Sequence, residues 1–369
     1  MSKKNNYYKI GHITNPLHKK IGKVLIKGKS CKIIIPARVN TFLCHHNFFV
    51  NPPRPQIFPV NSINFAINKF IEVVVVVRDD QKNIIDAVQK HQAIIEHTIK
   101  IVQKTLNIKQ GFNVMVKNLH GISHGGLGSS GSIMSGVAQG INILMGKPLS
   151  VGEITKLIAQ NYGEESNKKG FLSPSASIGG STAITLAGKS LVVVGSEADI
   201  WCVNQLPKEY YAVLLYPKKI KGISKAQDIE LNKRELYWLK NIDKDWGDIK
   251  ENILKTRIIP AINKKRYSVL FNAINMYTIG AYGDIPQYFK SRWISQGLTF
   301  DSLIFGIFSR IFKSLKISEN CFFVSSNGPM IVVITKYPKK VLNLMKDFSK
   351  DFTLEKVALS RTNNYLLTK

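Results

Sequence analysis

The feature that most constrains this chain is a run of glycine and serine between a strand and a helix. Residues 124–132 read His-Gly-Gly-Leu-Gly-Ser-Ser-Gly-Ser. Residues 112–117 alternate apolar and polar side chains as a half-buried strand does, and residues 133–145 have helical spacing with small residues on one face. Glycine lets the backbone approach a ligand and adopt positive φ, and the free N–H groups at a helix start attract an anion.

The stretch therefore predicts a phosphate-binding loop. The predicted contacts are Gly125, Gly126, Leu127, Gly128, Ser129, Ser130, Gly131 and Ser132. His124 is a candidate catalytic residue, because an imidazole can hydrogen-bond a phosphate or act as a general acid–base group. The alternative is a helix start packed closely on a sheet, with small residues used for clearance.

Patterns elsewhere in the chain predict an α+β fold, since strands and helices mix without strict βαβ alternation. Strands are predicted at 32–36, 63–67, 71–77, 184–194, 211–216, 322–324 and 331–335. Helices are predicted at 83–106, 150–162, 228–254, 266–280 and 300–315. A chain of 369 residues favours two lobes, which we expect at 1–205, carrying the loop, and at 206–369.

The net charge of +28 has three interpretations. Lysine is spread from end to end without a block of basic residues, which indicates composition bias or electrostatic help for an anionic ligand, and disfavours a nucleic-acid surface. The four cysteines have no metal-site spacing and suit a reducing compartment. No apolar run reaches the roughly 20 residues of a membrane span. We expect a cytoplasmic protein without a membrane partner, and a homodimer stays open.

Two glycine motifs in this sequence resemble those of the GHMP kinase superfamily. Gly126-Leu127-Gly128-Ser129-Ser130-Gly131 resembles the central motif, and Ser325-Ser326-Asn327-Gly328-Pro329 resembles the C-terminal one. The resemblance implies an N-terminal lobe like ribosomal protein S5 domain 2 and a ferredoxin-like C-terminal lobe. The ligand would lie between the two lobes.

Further segments are similar to one branch of that superfamily, the beta-ribofuranosylaminobenzene 5′-phosphate synthases. These segments are Pro36-Ala37-Arg38-Val39-Asn40, Asn61-Ser62-Ile63-Asn64-Phe65-Ala66 and Tyr216-Pro217 through Ser224 with Glu230 beyond. The resemblance implies a substrate pair of 5-phosphoribosyl 1-diphosphate and an aromatic acid. It also implies a carbon–carbon glycosidic bond, release of pyrophosphate and carbon dioxide, and Mg²⁺ as cofactor with unassigned ligands.

The same resemblance suggests roles for individual residues. Arg38 would hold the carboxylate of the aromatic acid, since a guanidinium binds carboxylates as a two-pronged fork. Lys218 would hold the 5′-phosphate or neutralise developing charge. The residues expected on the substrate side are Asn64, Lys218, Ser224, Ser325, Ser326, Asn327 and Gly328.

Two other functions remain open. GHMP kinases carry a catalytic aspartate in the region that matches residues 172–181, where this chain has no acid. That absence favours the synthase over an ATP-dependent small-molecule kinase. On the other side, Glu164 and Glu165 are similar to the kinase metal ligand, whereas Asn40 and Asn327 depart from the synthase pattern. The third hypothesis is a non-catalytic, basic RNA-binding protein.

Overall fold

The fold is described from a computed structural model. It describes residues 7–13, 17, 28–44, 61–86, 91–121, 126–174, 179–218, 244, 247–279, 300–325, 330–361 and 364–368, with only the backbone at 174, 279, 300–305 and 364–368. Within these ranges, no helix is both long enough and apolar enough to cross a membrane.

Strands and helices alternate irregularly along the chain. The strands are β1 (Tyr8–Lys9), β2 (Ser30–Thr41), β3 (Ser62–Val77), β4 (Ile84–Ile85), β5 (Phe112–Asn118), β6 (Gly163–Glu165), β7 (Phe171–Pro174), β8 (Leu191–Val194), β9 (Ile200–Asn204), β10 (Tyr211–Pro217), β11 (Cys321–Val324), β12 (Ile331–Thr335), β13 (Phe352–Ala358) and β14 (Asn364–Thr368). The helices are α1 (Gln92–Leu106), α2 (Ser129–Leu144), α3 (Val151–Gln160), α4 (Gly180–Ala187), α5 (Ile259–Asn263), α6 (Tyr267–Ile279), α7 (Phe300–Ser314) and α8 (Pro338–Leu344). Shorter helical turns lie at Ser196–Ala198, Leu254–Ile258 and Lys346–Lys350.

The strands form three sheets among the described residues. The largest has the order β14-β2-β3-β5-β4, with β8 also paired to β3 and β9 paired to β8. A second, antiparallel sheet has the order β11-β12-β10-β13, and a small one has the order β1-β7-β6. The strand at the end of the chain, β14, pairs with β2 and so returns to the sheet built by the first part of the chain. The two larger sheets meet where Phe65 of β3 stacks on Phe323 of β11.

Helix α2 lies directly on β2 and β3, and its glycines make this close approach possible. A Cβ atom on Gly136 would lie 2.2 Å from Ile35 Cδ1 and 2.7 Å from Val73 Cγ2, and one on Gly140 would lie 2.6 Å from Val75 Cγ2. The predicted small-residue face of this helix is therefore confirmed, because it faces the sheet. It holds the start of α2 in a fixed position above the strands.

This close packing predicts opposite effects for two glycine-to-alanine substitutions in helices. Gly136→Ala is expected to destabilise the fold by about 1–2 kcal/mol, because overpacking of about 1–3 kcal/mol outweighs the helix propensity that alanine gains. Gly152→Ala is expected to stabilise by about 0.5–1 kcal/mol, because Gly152 has no atom within 4 Å of an added Cβ. Urea unfolding of both variants measures the difference. Equal effects would contradict the packing argument.

Two of the predicted elements are wrong. Residues 184–194 were predicted as one strand, whereas Gly180–Ala187 form α4 and only Leu191–Val194 form a strand. Gly179 precedes this helix and Gly188 follows it, both in the left-handed conformation. The apolar side chains of the helix pack on the sheet. A short apolar run of this kind therefore fits a buried helix as well as a buried strand.

The predicted helix at 83–106 begins only at Gln92, because Ile84–Ile85 pair with β5 as a short parallel strand. For the helix predicted at 228–254, residues 247–253 are helical and residues 219–243 lie outside the described residues. The strand predicted at 32–36 extends five residues further, to Thr41, and the strands predicted at 63–67 and 71–77 are one continuous strand, β3. The other predicted strands and helices lie within four residues of the observed bounds.

Residues 7–13, here called the N-terminal strap, are held against α1 by a buried histidine. The backbone N–H of Gly11 donates to His97 Nδ1 at 2.9 Å, and His97 Nε2 lies 2.7 Å from the carbonyl oxygen of Asn161. Because a carbonyl only accepts, Nε2 carries the proton and the ring is neutral. Burial, with nearby lysines adding to the effect, lowers the pKa of His97 to about 4.

This histidine predicts loss of stability in mild acid. An unfolded chain binds a proton at its histidine near pH 6.5, whereas native His97 does so only near pH 4, where its pKa lies. The contribution of His97 is therefore complete above pH 6.5 and falls as the pH drops toward 4, by up to about 3 kcal/mol. His97→Asn, which keeps an acceptor for Gly11, is expected to flatten this part of the pH profile of unfolding, whereas the exposed His120→Asn retains it. An unchanged slope in His97→Asn would refute the assignment.

Candidate functional site

Two helix N-termini meet at the predicted phosphate loop. Helix α2 follows Gly128 (φ 70°) and α4 follows Gly179 (φ 71°), and a glycine at the N-cap has no side chain with which to cap the helix. An added Cβ on Gly131 would lie 2.5 Å from Ser181 Cβ, so the two helix starts are in direct contact. Uncapped N–H groups carry the positive end of each helix dipole, and the pair together favours an anionic ligand.

Glycines of the loop allow three segments to approach it closely. Gly126 adopts φ 98°, and an added Cβ there would lie 2.6 Å from the carbonyl oxygen of Ser325. An added Cβ on Gly128 would lie 2.6 Å from Ser181 Oγ and 2.8 Å from Arg38 Nε. The loop carbonyl of Leu127 accepts from the Arg38 backbone N–H at 3.2 Å. Positive φ together with this crowding makes glycine necessary at both positions.

Ser130, in the first turn of α2, contacts a buried carboxylate. Its hydroxyl donates to Glu164 Oε2 at 3.2 Å, and the Tyr162 hydroxyl donates to Glu164 Oε1. Glu164 lies on β6, whose neighbour β7 pairs in turn with β1 of the N-terminal strap. Burial and the adjacent carboxylate raise the pKa of Tyr162, which stays a hydrogen-bond donor. The carboxylate is therefore held beside the helix start from which phosphate N–H contacts are expected.

This pair fits the Mg²⁺ ion that the sequence resemblance implies. Mg²⁺ prefers oxygen ligands and is commonly bound through one or two carboxylates together with substrate phosphates and water. Glu164 and Ser130 supply a carboxylate and a hydroxyl at the phosphate loop, so they would hold the ion. When bound, Mg²⁺ would neutralise charge on the phosphate oxygens. No group of three or more His, Cys, Asp or Glu side chains able to bind a metal occurs in the described part of the chain.

Arg38, predicted as the carboxylate-binding residue, is buried at the junction of β2, α2 and α4. Its Nε donates to Ser181 Oγ at 2.8 Å, and its Nη1 donates to Asn40 Oδ1. Desolvation lowers the pKa of its guanidinium to about 10, so the side chain is charged at neutral pH. The three remaining N–H groups have no partner among the described residues, which leaves a cation with spare donors beside two helix N-termini.

Asn64 lies on β3 opposite Asn40 and is buried under the start of α4. Its Nδ2 donates to Ser62 Oγ at 2.9 Å, while its Oδ1 has no hydrogen-bond partner in the described structure. An added Cβ on Gly180 would lie 2.3 Å from that oxygen. The predicted Ser132 is also buried, and its hydroxyl has no partner there. Asn64 lies on the same face of the sheet as Arg38. Ser132 lies in the first turn of α2, which packs on that sheet.

Ser325 links the C-terminal sheet to the loop. Its hydroxyl donates to the carbonyl oxygen of Gly126 at 2.7 Å and accepts from the backbone N–H of Asn40 at 3.2 Å. Lys218 follows β10 with an exposed side chain, and its backbone N–H donates to Asp351. The other predicted site residues, which are His124, Gly125, Ser224, Ser326, Asn327 and Gly328, lie outside the described residues.

Sequence reasoning did not assign three residues that the fold brings into this site. Tyr162 carries no recognisable sequence signal, and Ser181 lies in a segment whose sequence signal is the lack of an acid. In the sequence Asn40 is a departure from the synthase pattern, whereas in the structure its Oδ1 accepts from Arg38. The spacing of Arg38 and Asn40, two residues apart in a strand, was the available signal, because such residues share a face of the sheet.

Comparison with known proteins agrees with this architecture. The GHMP kinases N terminal domain family matches residues 93–178. Homoserine kinase from Cytophaga hutchinsonii superposes with a TM-score of 0.59 at 15% identity, covering 95% of this chain and 100% of that one. Mevalonate diphosphate decarboxylase from Enterococcus faecalis gives 0.59 at 14% identity, covering 92% and 99%. A further complex, of MDDEF with MVAPP, AMPPCP and magnesium, gives 0.59 at 15% identity with the same coverage.

The chain thus carries a GHMP kinases N-terminal domain match over residues 93–178 and has the GHMP kinase-like fold, as predicted. At these identities the superpositions establish the fold alone. No curated protein sequence matches the chain. The resemblance to the synthase branch and the division at residues 205 and 206 stay predictions.

Proposed function

We propose that this protein is a Mg²⁺-dependent enzyme that binds the diphosphate of an activated sugar at residues 126–132 and an aromatic acid at Arg38. The reaction would be the decarboxylating C-glycoside synthesis expected from the sequence resemblance. The observation that carries the proposal is the chemistry of the residues at the start of α4, where a cation is present and a carboxylate is not. Arg38 there donates to Ser181 Oγ, and residues 172–181 contain no carboxylate that could activate a hydroxyl.

The chemistry of this reaction requires no base at that position. The C1′–oxygen bond to diphosphate breaks and its electron pair leaves with the diphosphate. The ring carbon bearing the carboxylate forms the new bond to C1′, and loss of carbon dioxide returns an electron pair to the ring. Negative charge grows on the leaving group, where the α2 N–H groups and the ion held by Glu164 and Ser130 would stabilise it.

Arg38 would hold the aromatic acid through its carboxylate until that group departs. A guanidinium with three spare N–H groups can bind a carboxylate with two parallel hydrogen bonds. Its partners Asn40 and Ser181 fix the plane of the fork. Burial between α2, α4 and the sheet strengthens this attraction, since water competes less for the charge.

A second candidate is an ATP-dependent kinase of the GHMP type. The contact between Ser130 and Glu164 favours it, because this pair suits a Mg²⁺-bound triphosphate equally well. A structural neighbour carries AMPPCP and magnesium. Without a carboxylate at the start of α4, such a kinase would suit an acceptor that is already ionised, and Arg38 would bind that acceptor.

One experiment tests both candidates with the full chain. The protein is incubated with Mg²⁺ and either phosphoribosyl diphosphate plus 4-hydroxybenzoate or 4-aminobenzoate, or ATP plus a panel of carboxylate and phosphate acceptors. We expect pyrophosphate and carbon dioxide in equal amounts from the first mixture, and only when the aromatic acid is present. Formation of ADP with an acceptor, and no pyrophosphate release with any aryl acid, would replace the synthase by the kinase.

A further inference from the structure

A basic cavity lies away from the phosphate loop. It has a volume of about 640 Å³ and is formed by the N-terminal strap, the C-terminal half of α1 and the turn that follows α1. None of these segments contributes a residue to the site around Arg38, Ser130 and Glu164. The cavity is large enough for a small ligand, since such pockets commonly span about 300–1,000 Å³.

The charge of the cavity wall has one sign. The positive charges are Lys9 from the strap, Lys100 and Lys104 from α1, and Lys109 from the turn, while His12 adds an imidazole. No aspartate or glutamate contributes to the described wall. Several like charges facing one concave space raise the local concentration of anions, and this effect does not depend on the average charge of the chain.

Local structure accounts for two of these lysines. The Lys100 ammonium pairs with Glu96 at 2.6 Å on the same helix, and the Lys104 ammonium donates to the carbonyl oxygen of Gly11 at 2.5 Å. Lys104 also complements the negative end of the α1 dipole. In contrast, the ammonium groups of Lys9 and Lys109 have no ion-pair partner among the described residues. No structural role is evident for these two charged side chains in the described part of the chain.

The rest of the wall suits a compact organic anion. Ile10 and Ile108 add apolar surface, while Gln81, Gln103 and Asn107 add side-chain amides. Gln103 is fixed by donating to the carbonyl oxygen of Gln110 at 2.8 Å, so part of the wall is preformed. Apolar surface with a few amides and clustered ammonium groups is the composition expected for a nucleotide or another phosphorylated metabolite.

We propose that this cavity binds a phosphate-bearing small molecule at a site separate from the phosphate loop. The occupant would join the strap to the end of α1 through Lys9 and Lys109. The strap strand β1 pairs with β7, and β7 pairs with β6, which carries Glu164. Binding is therefore expected to stabilise the strap and the segment behind the candidate metal ligand.

Covalent labelling with pyridoxal 5′-phosphate tests the proposal on the full chain. Its aldehyde condenses with a lysine amine with loss of water, and borohydride reduces the imine to a stable amine that peptide mapping locates. We expect Lys9 or Lys109 to be labelled about 10-fold faster than the exposed Lys313 and Lys340, a ratio equivalent to about 1.4 kcal/mol. Inorganic diphosphate or ATP should protect the cavity lysines and not the two controls. Equal labelling, or no protection, would overturn the proposal.

A pair of matched double variants gives an independent measurement. Lys9→Gln/Lys109→Gln should remove one of two diphosphate-binding events in calorimetry, whereas Lys313→Gln/Lys340→Gln, which changes the net charge equally, should retain both. The event that survives in the first variant belongs to the phosphate loop, so failure there concerns the proposed function and not the cavity. Protection by single-stranded RNA without protection by diphosphate or ATP would mark a nucleic-acid surface and refute a small-molecule site.

Discussion

Replacing Glu164 by glutamine is expected to weaken Mg²⁺-dependent binding of inorganic diphosphate by about 100-fold or more. Substituting groups that only support a metal ligand commonly costs 10–100-fold in affinity, and Glu164 is the carboxylate that would touch the ion itself. Glutamine has the same shape and keeps an oxygen that can accept from Tyr162, so the packing around β6 is retained. The predicted loss comes from the missing charge beside Ser130.

The neighbouring carboxylate provides the matched control for this prediction. Glu165 is exposed, and its Oε1 accepts from the backbone N–H of Ala93 at the start of α1, away from Ser130. Glu165→Gln removes the same charge one residue further along and should leave Mg²⁺-dependent binding unchanged. Calorimetry with diphosphate, with and without Mg²⁺, measures both variants. If the two variants lose the same affinity, the effect is one of general charge and Glu164 is not the metal ligand.

The phosphate loop was predictable because its signal is local. Gly126, Gly128 and Gly131 stand within six residues, between an alternating strand and a helical pattern, and each proves to be a close-contact position. Local backbone chemistry, with glycine required at positive φ and free N–H groups at a helix start, needs no knowledge of the tertiary fold. The small-residue face of α2 was predictable for the same reason, since it follows from helical spacing.

The partners of that loop were harder to predict because they come from distant parts of the chain. Arg38 and Ser181 are 143 residues apart, and Ser325 contacts Gly126 across 199 residues. Which residues meet depends on the register of β2 against β3, including the irregularity between Pro36 and Ala37 that sets Arg38 opposite Ala66. A one-residue shift would turn every side chain to the other face, and the sequence carries no direct record of that choice.

The role of Glu164 illustrates the same limit. Its position before residues 172–181 is similar to that of a kinase metal ligand, but the sequence alone does not place it at the phosphate loop. The fold removes the difficulty, because β6 and β7 form an antiparallel pair that brings Glu164 back beside α2. Three-residue strands of this kind leave almost no periodic signal in a sequence.

Replacing Arg38 by lysine is expected to reduce turnover by roughly 10²–10³-fold, although the positive charge is kept. Lysine is a point charge on a flexible stem and cannot donate to Asn40 and Ser181 while presenting a planar fork to a carboxylate. The expected signature is a loss of affinity for the acid together with a loss of turnover, and unchanged affinity for diphosphate at the loop. Steady-state release of pyrophosphate against acid concentration separates these effects.

Arg78, a partly buried residue directly after β3, gives the matched control, because its guanidinium binds Asp80 as a fork, at 2.7 and 2.6 Å. Arg78→Lys should leave turnover and acid affinity unchanged.

A structural role for Arg38 alone would predict that Arg38→Lys lowers the melting temperature and leaves the folded fraction fully active. Rescue of Arg38→Ala by added guanidinium would oppose that outcome, since a diffusible cation can replace a charge at the substrate and cannot restore a packed side chain. Absence of rescue, with normal acid affinity in Arg38→Lys, would remove Arg38 from the substrate site.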